Sequence, residues 1–309
     1  MTSNPSETST PALAATGDCV LPHWGVIAAR GPEAAHFLHN QLTQDFLLLD
    51  MQHARLAAFC NAKGRMQASM LGFKTSAEEV LLLMRADLLA QTLKRLSMFV
   101  LRSKVKLSDA SADWTVYGRL TNAEEAAAPW QLSHEDGTWS VGLYPGAGVA
   151  RRLVVAPAAT GLVQAGLSLD DWMLSEVLSG VADVQAATFE AFVPQMLNYE
   201  SVDGVNFKKG CYPGQEVVAR SQFRGILKRR TYLVSSSLPL QAAQEIFHSS
   251  DATQPAGQVA QAVSHPLHGH WALVCLQTSS VEVGELHPAG TTGPVLKLHP
   301  LPYALRDDI

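Results

Sequence analysis

Apolar positions along the first hundred residues change period in a way that gives a strand–helix order. Residues 24–28, Trp-Gly-Val-Ile-Ala, form a short apolar run and predict a strand. Gly31-Pro32-Glu33 then opens a helix: proline suits a first-turn position, an acid there favours the dipole, and Phe37, Leu38 and Leu42 give it an apolar face. Residues 55–60 and 66–73 read as strands joined by an Asn61-Ala62-Lys63-Gly64 hairpin turn, in which Gly64 is free to take positive φ. Residues 80–84 add a strand. Asp87 stands where it can cap a helix whose Leu88, Leu89, Leu93 and Leu96 face inward, and Val105 and Leu107 follow in a further strand. Strand, helix, two or three strands, helix, strand is the split βαβ arrangement of ferredoxin-like units.

A less regular set of elements runs from Trp114 to about Val205. It includes a strand at 152–155 and a helix at 170–178, begun by Asp170 or Asp171, anchored by Trp172, Leu174, Val177 and Leu178, and ended by Gly180. From about Leu238 the texture changes. Short apolar runs at 258–263, 271–276 and 281–283 are separated by Gly, Pro, Ser and His, which predicts a small all-β domain. His265, His268 and His270 fall in its Pro/Gly turn without helical spacing, so they read as solvent-exposed turn residues and no metal site is expected.

The chain has 309 residues, enough for two or three lobes, with 47% hydrophobic and 17% charged residues, ordinary for a soluble globular protein. The stretch from Met1 to Gly17 is rich in Ser, Thr, Pro and Ala and lacks the basic and apolar regions of a secretory signal, so residues 1–19 are expected to form a disordered tail. No apolar run suffices for a transmembrane helix, which points to a cytoplasmic protein without membrane contact. Four scattered cysteines, Cys19, Cys60, Cys211 and Cys275, form neither a C-x-x-C motif nor a disulfide framework.

Charge sharpens the picture in one place. The net charge is -5, yet seven of the 23 Lys and Arg residues fall between 208 and 230: Lys208, Lys209, Arg220, Arg224, Lys228, Arg229 and Arg230. An anion-binding role must come from this local patch, since the chain as a whole has no positive field. The patch begins at Lys208-Lys209-Gly210-Cys211-Tyr212-Pro213-Gly214-Gln215-Glu216, and residues 215–222 have helical character. Pro213 suits a helix's first turn, which sets Cys211 just before a helix N-terminus and beside Lys209. Both neighbours favour thiolate, the nucleophilic and metal-ligating form, so Cys211 is a candidate reactive thiol, cluster ligand or covalent carrier. Gly210 and Gly214 allow a ligand close to the backbone. The arginines offer planar, bidentate donors for carboxylate or phosphate; the alternative is a solvated strand edge.

Lys209-Gly210-Cys211-Tyr212-x-Gly214-Gln215-Glu216, preceded by Phe192-Val193-Pro194-Gln195 and followed by Gly225-x-x-Lys228-Arg229-Arg230, resembles the signature of the YgfZ family, a folate-binding branch related to the glycine-cleavage T-protein. Gly31-x-Glu33-x-x-x-Phe37-Leu38-x-x-Gln41-x-Thr43-x-Asp45 and Lys63-Gly64-Arg65-Met66 match as well, so the resemblance spans about residues 24–234. It implies an α+β, T-protein-like fold of three lobes, with ferredoxin-like βαββαβ units around a central channel and a small C-terminal β-barrel domain. The expected boundaries are 20–110 for the first lobe, 111–237 for the second, which carries the motif, and 238–309 for the C-terminal domain. It implies tetrahydrofolate or a derivative as cofactor, an iron–sulfur cluster only transiently if at all, and a role in assembling or repairing iron–sulfur proteins, including tRNA-modifying enzymes. Client proteins or assembly factors are the implied partners. Cys211 and Lys209 take the key catalytic positions, and Tyr212, Gly214, Gln215, Glu216, Arg220, Arg229 and Arg230 the cofactor-binding ones.

Two departures stand against that pattern. T-proteins carry paired acids shortly after an Asn-x-x-Gly turn, whereas here the stretch ends in Ala68 and Ser69, which argues against aminomethyl transfer. Four residues before Gly180 the family usually has Arg, and two residues before it T-proteins have Glu; this chain has Glu176 and Leu178. A folate-dependent aminomethyl- or methyltransferase therefore stands as an alternative. So does an RNA-binding module built on residues 220–230, although no aromatic-interleaved basic motif supports it and direct nucleic-acid contact is not expected.

Overall fold

The computed structural model describes residues 10–161, 166–223, 227–291 and 293–306. Arg224, Gly225 and Ile226 of the basic stretch, and the first nine residues of the expected tail, lie outside the described residues.

The chain begins with β1 (Gly17–Val20) and β2 (Trp24–Arg30), followed by α1 (Ala34–Gln41), β3 (Ala54–Cys60), β4 (Met66–Ser76), β5 (Glu79–Arg85), α2 (Ala86–Ser97) and β6 (Lys106–Asp109). Strands β2 to β6 form an antiparallel sheet in the order β3-β4-β5-β2-β6. This is the expected ferredoxin-like unit with three strands, not two, between its helices. Residues 66–73 of β4 are buried throughout because both sheet faces are covered: α2 packs on one, and Phe73 meets Trp139 of the next lobe on the other, 5.6 Å between ring centroids. Asp87 does not cap α2, whose N-cap is Arg85; its carboxylate instead accepts the Ala186 N–H at 3.0 Å and ties the helix to the chain's centre.

The second lobe contains β7 (Trp114–Thr121), β8 (Leu132–Glu135), β9 (Thr138–Gly146), β10 (Val149–Pro157) and α3 (Leu169–Leu178). Its sheet runs β1-β7-β10-β9-β8, so the end of the expected tail is a paired strand. Ser168, and neither Asp170 nor Asp171, caps α3, because its hydroxyl accepts the Asp171 N–H at 3.0 Å. Gly180 ends the helix region at φ +74°. A Cβ on Gly118 of β7 would lie 2.3 Å from the Trp172 indole, so the missing side chain is what lets α3 lie on the sheet.

The last part holds α4 (Gln215–Phe223), β11 (Arg229–Ser236), β12 (Glu245–His248), β13 (Asp251–His265), β14 (Gly269–Gln277), β15 (Leu286–His287) and β16 (Lys297–His299). The strands form one antiparallel sheet, β15-β12-β13-β14-β11-β16, with register shifts in β13 that fit a curled half-barrel. β11, placed in the second lobe by its sequence position, belongs to this sheet. Residues 281–283 are not a strand; a 3-10 turn at Thr278–Ser280 leads into a bend there. His265 is not a solvated turn residue either. It is buried, with Nε2 3.3 Å from Asp171 of α3, and so joins the third lobe to the second.

One apolar core runs through the first two lobes and reaches Leu233, Trp271, Leu273 and Cys275 of the third. Residues 179–205 thread between the sheets as short 3-10 turns. Met66 N–H donates to Phe192 O (2.8 Å), Trp130 Nε1 to Val202 O (3.0 Å) and Asn198 Nδ2 to Thr231 O (2.8 Å), one bond for each lobe.

Candidate functional site

The motif loop is assembled from four separated stretches of chain. Thr43 Oγ1 donates to Gly204 O (2.7 Å) and accepts from Ala58 N–H (2.8 Å), while Thr43 O accepts from Asn206 N–H (2.9 Å). That clamp delivers the loop to the end of α1. There Lys209 Nζ, buried, donates to the carbonyls of His39 and Leu42, the latter at 3.0 Å, and lies 4.5 Å from the centre of the Tyr212 ring. A helix C-terminus presents unpaired carbonyls, and an ammonium is a fitting partner for them. Burial pulls the Lys209 ammonium down to about 8, against an opposing pull from Asp45 and from Cys211.

Gly214 closes the loop on the β3–β4 turn. Its φ is +82°, and a Cβ there would lie 2.4 Å from Asn61 O and 2.7 Å from the Cα of Gly64. Gly64, at φ +71°, in turn faces Val217 of α4. Gln195 Nε2 holds α4 through Val218 O at 2.7 Å. The dispersed motif strings around 41–45, 61–66, 192–195 and 209–216 thus meet at one place, with Cys211 exposed on the outside of it. His39 lies beneath: its Nδ1 is 3.0 Å from Asp45 Oδ1, and its Nε2 would be 3.4 Å from a Cβ on Gly210. Burial raises the Asp45 carboxyl, but the N–H of Leu48, the His39 side chain and the N–H of Leu47 outweigh it and hold it below the usual range.

The basic stretch divides. Arg230 is buried and committed to the fold, with Nη1 2.7 Å from Glu200 Oε1 and Nη2 donating to Arg306 O at 2.9 Å. Arg220 and Glu216 are exposed on α4 and pair with each other across one turn. Arg229 is half-buried in β11 opposite Gln277. Gln215 is half-buried at the start of α4, and Tyr212 is buried under Lys209.

A separate cavity lies at the seam of the first two lobes, and none of the sequence-derived site residues lines it. Its walls are Trp24, Leu56, Met70, Leu71, Trp130, Leu143, Tyr144, Leu153 and Val181, with Ser69, Arg151, Glu176, Ser179 and Asp183 as the polar set. The unfilled space of the cavity, open solvent at its mouth included, is about 500 Å³. Glu176, the charge reversal noted in the sequence, is buried. Its Oε1 accepts from Trp172 Nε1 (2.8 Å) and Trp24 Nε1 (3.2 Å) and lies 3.4 Å from His23 Nε2. Burial raises this carboxyl, but His23, Arg151 and Arg85 together bring it below its usual range. Arg151 restores a cation to the cavity from β10; it donates to Ser175 Oγ (2.9 Å) and Tyr144 O (3.1 Å), and burial brings it down to about 10.

The cavity also supplies a carboxyl where the linear reading found none. Asp183 reaches Ser69 from the segment after α3, Ser69 Oγ to Asp183 Oδ1 being 3.4 Å. It lies deep in the protein yet keeps surface open to the cavity. Burial and the charge of Glu176 push it up to about 6. No spacing rule singles out Asp183 or Arg151: Asp183 lies between Ala182 and Val184, Arg151 is one of two adjacent arginines in a strand, and only the tertiary fold turns them toward the same space. Among the described residues, no group of three or more His, Cys, Asp or Glu side chains is placed to hold a metal ion.

Comparison with known proteins follows the same outline. No family model matches the chain. The tRNA-modifying protein YgfZ of Photobacterium profundum is 33% identical over 232 residues, which cover 70% of this chain and 68% of that protein. The chain belongs to the YgfZ family. Two further YgfZ proteins, from Photorhabdus laumondii and Sodalis glossinidius, are each 28% identical, over 93% and 92% of this chain respectively and 92% of each relative. Among solved structures, the glycine cleavage system aminomethyltransferase T from Bartonella henselae is similar over 96% of this chain and 87% of its own, with a TM-score of 0.63 at 16% identity. That likeness shows the fold: this YgfZ-family chain has the α+β architecture of the T-protein. No helix among the described residues is long and apolar enough to cross a membrane.

Proposed function

We propose that this protein binds a reduced folate in the seam cavity and supports the assembly or repair of iron–sulfur proteins, tRNA-modifying enzymes among them, through the exposed thiol of Cys211. The observation that carries the reading is the presentation of Cys211. An exposed sulfur sits on a loop whose neighbours on both sides, Lys209 and Gly214, are locked to the first lobe. A structural cysteine needs no such scaffold, whereas a thiol that meets a partner does. An iron–sulfur cluster is cargo here, passed at the surface and not resident.

The cavity's residues fit a folate. Trp24, Trp130 and Tyr144 offer faces for a heterocyclic ring. Glu176 Oε2 is buried without a hydrogen-bond partner among the described residues, and a carboxylate oxygen is the acceptor that an amino-pyrimidine edge requires. The unfilled space of about 500 Å³ includes the open mouth, where the rest of a folate beyond its ring would lie. When bound, a reduced folate supplies a one-carbon carrier nitrogen; Arg151 and Glu176 hold and orient the ring. Gln215, Glu216, Arg220 and Arg229, on α4 and β11 beside the thiol loop, are the groups offered to a client, the arginines also to the folate's carboxylates, with Tyr212 and Gly214 shaping the loop.

Calorimetric titration with tetrahydrofolate tests the cofactor. Assay of an iron–sulfur tRNA-modifying enzyme in cells whose only copy carries Cys211→Ala tests the thiol, and full enzyme activity there sinks its role. The transferase reading gains one observation, the Asp183 carboxyl beside Ser69. Turnover with tetrahydrofolate and an aminomethyl or methyl donor separates the two.

A further inference from the structure

The seam cavity contains two carboxyls and an unusual set of incomplete partners. Glu176 Oε2 and, next to the cavity, Arg85 Nε and Nη1 are buried without hydrogen-bond partners among the described residues. Two carboxylates lining one low-dielectric space disfavour each other's ionisation, so one of them holds its proton to a higher pH than a free carboxyl does. The surroundings decide which. Glu176 takes the indole N–H groups of Trp172 and Trp24, all on Oε1, and is flanked by His23, Arg151 and Arg85. Asp183 has the weaker set: the Ser69 hydroxyl at 3.4 Å, with Glu176, Arg85, His23, Arg151 and the Tyr199 phenol as the charged and titratable groups around it. Its backbone N–H goes to Gln261 Oε1 of β13 at 3.1 Å, which fixes the carboxyl's position without neutralising it.

We propose that the seam cavity pairs an ionised Glu176 with a protonated Asp183 at mildly acidic pH, and that the two are built for a heterocycle presenting an N–H edge and a basic ring nitrogen, the first received by Glu176 and the second protonated by Asp183. This rests on the folate reading, for which a reduced pterin has both features. The proton step balances: the Asp183 O–H bond breaks, a ring N–H bond forms, and a carboxylate–ring cation pair is left with no electron gained or lost. Below the point at which Asp183 loses its proton, binding needs none from solvent. Above it, each binding event must take one up, and affinity falls toward about tenfold per pH unit by linkage.

The experiment uses the full chain, with tetrahydrofolate and its 5-formyl derivative, whose ring nitrogen is no longer basic. Calorimetry at pH 6 and pH 8, in buffers of different ionisation enthalpy, reads affinity and protons together. Wild type is expected to lose on the order of tenfold to a hundredfold in affinity for tetrahydrofolate between these pH values, with proton uptake at pH 8. The 5-formyl compound is expected to show neither, and Asp183→Asn to bind tetrahydrofolate more weakly with a flat profile. Equal wild-type affinity at both pH values, or an unchanged pH profile in Asp183→Asn, overturns the proposal while the folate reading stands. Absence of tetrahydrofolate binding to wild type at either pH overturns the folate reading and the choice of ligand together. The proton on Asp183 has its own readout in the ligand-free protein: an infrared band of a protonated carboxyl below about pH 6, absent in Asp183→Asn and lost at lower pH in Glu176→Gln. A band that ignores both substitutions refutes the pair.

Discussion

Arg230 gives the sharpest test, because its sequence position assigns it to a ligand and its structure assigns it to the fold. Replacing it by Met leaves Glu200 buried with no cation to face: the Glu200 side chain is 0% and that of Arg230 10% exposed, with 2.7 Å between Nη1 and Oε1. Glu200 Oε1 also accepts from the Ser201 hydroxyl at 3.0 Å, and Oε2 has no partner among the described residues, so no second donor takes over. Breaking one side of a buried pair costs about 3–5 kcal/mol, against about 0–1 for an exposed one. Arg230→Met and Glu200→Leu are each expected to cost an amount in the larger range, and the double variant to recover most of it, since removing both charges removes the stranded one. Urea unfolding followed by tryptophan fluorescence and far-ultraviolet dichroism measures this, with coincident curves required before the free energies are compared. Single variants costing under about 1 kcal/mol, with tetrahydrofolate affinity lost, would refute the structural role and return Arg230 to the ligand.

Other expectations are as specific. Gly214→Ala places a Cβ against Asn61 O in a left-handed backbone, so it should cost more than about 1 kcal/mol in urea and loosen Cys211's loop to proteolysis without altering the third lobe. In the native protein one thiol should react quickly with dithionitrobenzoate and vanish in Cys211→Ala, because burial pushes Cys19, Cys60 and Cys275 up to about 12; two fast thiols would contradict this. Asp183 keeps its proton to about 6 in the folded state but to 3.8 by itself, so its contribution to stability falls as pH rises between those values and stays low above them. Asp183→Asn should therefore remove that slope and stabilise the protein at pH 7.5 by at most about 3 kcal/mol, less where water in the cavity screens the charge; a melting temperature unchanged at pH 7.5 counts against it.

Much of the fold is legible in the periodicity because the first lobe is locally consistent. The helix at 34–41, the hairpin at 61–64 and the strands around them follow from apolar spacing and turn residues. Misreadings arose where a distant partner decides. Asp87 has the residue type of a cap but is claimed by Ala186, and Ser168 takes the cap for which Asp170 and Asp171 also have the residue type. β11 follows the motif directly, yet its pairing partners β14 and β16 lie far downstream. The site divides the same way. Cys211, Lys209 and Gly214 stand in one short string with special residue types, so the loop could be read. The cavity is made from one to four residues on each of seven separated stretches, and Asp183 and Arg151 come to the same space only through folding.

Gly64 and Gly214 meet backbone to backbone although 150 residues separate them in the chain. Such a contact closes a long loop, and contacts of that separation form late and cost the most chain entropy. The sulfur-bearing loop therefore has no lock of its own. During synthesis or partial unfolding Cys211 is an ordinary thiol on a loose strand, and only after the first lobe is complete and docked does the chain present it in one fixed setting. Readiness to engage a partner is in this way a report on the folding of the whole molecule.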